Sequence, residues 1–125
     1  MSEKIDLAKR ILNAFKHFEC FVFESSELKK VKEVLNDTGL NKLVVMKKAD
    51  PRYDHIYILL PWNIEFEQEC VSKVKELLAS RRINNDYYKK NYLLLIDQCV
   101  KHHIKERVKE IINVLQRYIG GRGES

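Results

Sequence analysis

Glycine and proline are scarce in this 125-residue chain: four and two residues, beside a single tryptophan. That scarcity leaves no Pro/Gly-rich linker between domains. None of the four glycines stands where a strand would turn into a helix around a phosphate. No Walker loop, GxGxxG, HExxH or nucleophile elbow occurs in the sequence, which removes the motif-borne nucleotide, zinc-protease and hydrolase chemistries. No apolar run approaches the roughly 18 residues that a membrane span needs. The first ten residues, "MSEKIDLAKR", are charged where a secretory leader would be apolar. The expected setting is therefore cytoplasmic, with no membrane partner.

Cysteine is also sparse. Residues 20, 70 and 99 make an odd count with no CxxC spacing, so neither a disulfide framework nor a zinc ribbon is expected and reduced thiols are the default. No cofactor is implied by the pattern, and no metal.

What the chain does have is 45% hydrophobic and 33% charged residues, the composition of a globular domain. With no repeat and no low-complexity tract, one α+β domain is expected over residues 1–119, followed by a loose tail, "GGRGES", at 120–125. Its net charge of +5 is uneven. Residues 1–72 hold 11 Lys+Arg against 12 Asp+Glu, a balance of −1; residues 73–125 hold 12 against 6, or +6.

Hydrophobic spacing supplies the elements. Ile5, Ala8, Ile11, Leu12, Phe15 and Phe18 recur with helical period, and Ser2 can cap that first helix over about 3–18. "CFVFES" is a short strand. Ser25 or Ser26 is placed to cap a second helix through Leu28, Val31, Val34 and Leu35, which Gly39 terminates. "KLVVMKK" and "HIYILLPW" form a hairpin around "ADPRYD". Asn63 caps a third helix over about 64–82, with Phe66, Cys70, Val71, Val74, Leu77 and Leu78 inward. "INNDYYKKN" is a loop and "YLLLI" a fourth strand. Asp97 then caps a last helix to about Tyr118.

The order α-β-α-β-β-α-β-α contains βαββαβ, so the expected fold is a ferredoxin-like split-βαβ core with a helix added at each end. The strands are apolar on both faces. A two-layer sandwich leaves one face polar, so the terminal helices are expected to cover the second sheet face.

That topology carries a functional expectation. It places the hairpin turn, with Lys47, Lys48 and Arg52, at the same end as the loop before the fourth strand, with Arg81, Arg82, Tyr87, Tyr88, Lys89 and Lys90. Cations neutralise phosphates and tyrosine rings stack on unpaired bases. A non-enzymatic nucleic-acid-binding or regulatory protein that favours single strands follows from this basic edge. Asp50, Asp54 and Asp86 dilute it.

A second surface is "CVKHHIKER", residues 99–107. On a helical wheel, Val100, Ile104, Val108, Ile111, Leu115 and Ile119 make the core stripe, and Cys99, His102, His103 and Glu106 fall opposite it. Cys99 with His103, and His102 with Glu106, have chelating i,i+4 spacing, but the sequence offers no third ligand. The expectation is a solvated face or an interface, which makes a protein-interaction module, such as a homodimer, the alternative function. A nuclease with an atypical metal site is a distant third: "HIYILLPW" holds neither the carboxylate nor the lysine that chemistry requires.

Overall fold

The computed structural model describes residues 2–61, 64–80 and 85–123; in the last two helices it describes the side chains of 67–77, 79 and 90–121. The order is α1 (Glu3–Phe18), β1 (Phe21–Glu24), α2 (Leu28–Thr38), β2 (Val45–Asp50), β3 (Tyr53–Leu60), α3 (Ile64–Ser80) and α4 (Asn85–Gly123), with single 3-10 turns at Ser25–Glu27 and Leu40–Lys42. The chain forms two compact units. One combines residues 1–62 with 107–125; the other is 63–106.

The fold is α+β, with a three-stranded antiparallel sheet in the order β1-β3-β2. The expected ferredoxin-like core is not formed, because its fourth strand does not exist. "YLLLI", residues 92–96, lies inside α4, as does most of the "INNDYYKKN" stretch and the Asp97 expected to start a helix. Asp97 instead accepts from Lys101 one turn on, at 2.9 Å. A run of five apolar residues has no period that separates strand from helix. Here the helix runs through it, because no glycine or proline interrupts residues 85–119 and leucine is itself a good helix former. α4 also takes in residues 120–123 of the stretch read as a tail.

The first 61 residues follow the sequence closely. α1 spans the expected 3–18 and buries Leu7, Ala8, Ile11 and Phe15. α2 buries Val31, Val34 and Leu35 and ends on Gly39, whose φ of 78° is left-handed. The serines expected to cap α2 form the 3-10 turn instead, and the helix starts at Leu28. Ion pairs join α1 to α2: Lys30 to Glu3 at 2.7 Å and Lys4 to Asp37 at 3.2 Å.

In β1 and β3, Phe21 pairs with Leu59 and Phe23 with Tyr57, so all four share one sheet face. Phe21, Phe23 and Leu59 are buried there. Arg10 of α1 lies over the Phe21 ring, 5.6 Å from its centroid, which places α1 on this same face. The N-terminal helix therefore does not cover the second face as expected. Its buried stripe meets the aromatic side of β1. On the opposite face Val22 is 54% exposed, and its partner Ile58 is half-buried. Near the other end of the chain, Val108, Ile111 and Leu115 of α4 are buried, and Arg107 donates to the Lys42 carbonyl at 3.4 Å.

Candidate functional site

The hairpin cations come first. Lys47 and Lys48 are consecutive on β2, so their side chains leave opposite faces of the sheet. Lys48 pairs with Asp54 at 3.3 Å. Arg52 sits in the turn and closes on Asp50, donating from Nε at 3.2 Å and Nη2 at 2.9 Å, while its backbone N–H donates to the same carboxylate at 2.9 Å. This is the side-chain-to-backbone closure that favours Asp at the start of a turn. It holds the Asp50 carboxyl below its ordinary pKa, because the guanidinium and the amide both stabilise the anion. The aspartates of the hairpin thus engage two of its three cations directly.

Arg81 and Arg82 lie outside the described residues. Tyr87, Tyr88 and Lys89 fall in the first turns of α4, not in a loop, and their side chains are outside the description. Lys90 is exposed on the same helix. Only a fourth strand running back through the sheet would place these residues beside the hairpin turn, and α4 replaces that strand.

The histidine segment changes more. Among residues 92–104 of α4 the less exposed positions are Tyr92, Leu95, Ile96, Cys99, Val100, His103 and Ile104; further along, Val108, Ile111 and Leu115 are buried. With 3.6 residues per turn, the first group centres roughly a third of a turn away from the last three. A wheel phased on the C-terminal half puts Cys99 and His103 outside. The burial of residues 92–104 puts both of them inside. The four residues expected to share an outer face are therefore split: Cys99 and His103 are half-buried, while His102 and Glu106 are exposed.

The partner of that inner face is α3. Cys70 is completely buried and forms a disulfide with Cys99, with 5.8 Å between the α-carbons and 29 residues between them in sequence. The expectation of three reduced thiols is corrected for this pair; only Cys20 is a free cysteine. Donor atoms of Cys70, Cys99 and His103 all lie within 4.8 Å of one another. The third donor that the sequence could not supply comes from the neighbouring helix. Cys70 was legible only as an inward position of α3. Its meeting with Cys99, 29 residues on, is a tertiary contact that the inward position alone does not report.

Among the described side chains of residues 63–106, Leu77 of α3 and two leucines of α4 are exposed. Leu93 is 77% exposed and Leu94 52%, side by side on α4. A helix that carries five consecutive apolar residues cannot turn all of them inward.

No protein-family model matches the chain, and no curated protein or solved structure is significantly similar to it. No helix among the described residues is long and apolar enough to cross a membrane.

Proposed function

We propose that this protein is a non-enzymatic interaction module that assembles through the N-terminal half of α4, with a second copy of the chain as the partner. The observation that carries this reading is the exposed pair Leu93 and Leu94. Fully burying a leucine is worth about 1.5–3 kcal/mol. Two adjacent leucines on a rigid helix form a compact apolar contact, and the same patch on two copies is self-complementary about a two-fold axis. Sedimentation velocity over a wide concentration range tests it. Association is expected for the wild type and its loss for Leu93→Glu/Leu94→Glu, with unchanged circular dichroism. A wild type that stays monomeric at high concentration removes the reading.

A second reading is nucleic-acid binding. Support comes from the cation excess of the second half and from the exposed Lys90, Lys101, Lys105 and Arg117, placed along a single helix. Glu106 and Glu110 interrupt the row. Binding of this kind is electrostatic and steeply salt-dependent. Fluorescence anisotropy with single-stranded DNA and RNA at low salt decides: no binding to either ends this reading and leaves the first untouched.

A further inference from the structure

The cluster Cys70, Cys99 and His103 has no part in either reading above, and its chemistry is specific. Cys99 and His103 stand one turn apart on α4, and the disulfide fixes Cys70 of α3 against them. The set is two sulfurs and an imidazole, all donors within 4.8 Å of one another.

The geometry points to a metal site: with the two sulfurs reduced to thiolates, Cys70, Cys99 and His103 bind one zinc-class divalent cation. Tetrahedral zinc has Zn–S bonds of about 2.3 Å and Zn–N bonds of about 2.0–2.1 Å, so its donors stand about 3.8 Å apart for two sulfurs and about 3.6 Å for sulfur and nitrogen. Both separations fit inside the cluster. The α-carbons need not move, because rotation about the Cα–Cβ bonds parts the two sulfurs. Thiolate and imidazole select zinc and its neighbours over magnesium or calcium, which prefer oxygen. Half-burial of Cys99 and His103 leaves the fourth position to a water molecule.

The disulfide is then the oxidised, metal-free form of the same site. Two molecules of a small thiol convert one form to the other. They deliver two electrons and two protons to the Cys70–Cys99 bond and leave as their own disulfide. The cation displaces the two protons from the new thiols and binds. In a reducing compartment the cross-link between α3 and α4 is dismantled; the cation restores it through the same two sulfurs and adds His103.

Cobalt(II) tests this in the full-length chain, because thiolate-to-cobalt charge transfer gives an absorption that oxygen ligands do not. After reduction with a phosphine, one cobalt per chain and a charge-transfer band are expected, and zinc should displace the cobalt. The oxidised protein, with one titratable thiol in place of three, should give no band. His103→Gln should weaken cobalt affinity at least tenfold while leaving the circular dichroism unchanged. That variant carries the decision, since Cys70→Ser opens a buried position and could unfold α3. Cys20→Ser should bind like the wild type. A reduced wild type without the band overturns the proposal, as does His103→Gln binding with undiminished affinity, or loss of binding in Cys20→Ser.

Discussion

Arg10 grips Glu27 with both ends of its guanidinium, at 2.7 and 3.1 Å, while the same group lies over the Phe21 ring. One side chain of α1 thus reaches both the turn that leads into α2 and the aromatic face of β1. The Arg10 side chain is 54% exposed, so solvent screens the pair and its worth is set by geometry rather than by charge alone. Arg10→Ala is expected to lower stability by about 1 kcal/mol, measured by urea unfolding. Arg10→Lys should recover little of it, because lysine has neither the fork nor the flat face. A double-mutant cycle with Glu27→Gln should give a favourable coupling energy. Additivity would mean that the two groups act independently.

Two glycines should respond to alanine in opposite directions. Gly39 holds φ at +78°, and nothing lies within 4 Å of where a β-carbon would sit, so the penalty for Gly39→Ala is purely backbone strain of about 1 kcal/mol. Gly120 has open space too, but lies in α4 with no left-handed φ. Gly120→Ala should raise stability by a few tenths of a kcal/mol, less than the mid-helix value of about 1 because it stands near the helix end. Thermal unfolding of both variants checks the signs.

Acid should loosen the two ends of the first unit. Asp50 is held below its ordinary pKa by Arg52, and Glu3 by its hydrogen bond and charge pair with Lys30. A carboxyl whose folded pKa is lowered stabilises the fold above its unfolded value of about 4, and that contribution fades as pH falls through the folded value. Asp50→Asn and Glu3→Gln should therefore be less stable than the wild type at pH 7, and the difference should shrink as the pH falls below the unfolded value of about 4. Glu3 is exposed and Asp50 half-buried, so the difference at pH 7 should shrink in high salt more for Glu3→Gln than for Asp50→Asn. A difference that persists unchanged in acid would exclude the ionised carboxylates as its source.

The rotation of the buried stripe along α4 makes its own prediction. Ile111 is completely buried, whereas Leu93 is 77% exposed. At concentrations where the chain is monomeric, Ile111→Ala should cost about 2–5 kcal/mol and Leu93→Ala under about 0.5 kcal/mol, by denaturant unfolding followed by far-ultraviolet circular dichroism. If "YLLLI" were a central strand, the second substitution would cost as much as the first.

These contrasts also mark how far the sequence could be read. α1, α2, Gly39 and the β2–β3 hairpin were legible because each carries its own local signal: a helical period, a left-handed terminator, a proline turn. The middle of α4 carries none, since Tyr92 to Ile96 is apolar at every position. Reading it as a strand had two consequences. It created a fourth strand and, with it, a shared basic edge. It also started the last helix at Asp97, so that the wheel was phased on Val108, Ile111 and Leu115. That phase turned Cys99 and His103 outward and hid their meeting with Cys70. The pairing of two cysteines 29 residues apart has no local signature. It is a tertiary contact, and no short window of sequence reports that.

The composition of the first unit has a consequence for how the chain is made. Its core joins residues 7–59 to Val108, Ile111 and Leu115, with residues 63–106 intervening. A ribosome that builds the chain from the N-terminus delivers the whole of 63–106 before it supplies the last buried side chains of the unit that was begun first. The inserted helices can form as they emerge; the unit that holds the sheet cannot complete its core until residues 108–115 have followed. A chain cut short before Ile111 would lack Ile111 and Leu115 and would leave the unit that holds the sheet without two of its buried side chains.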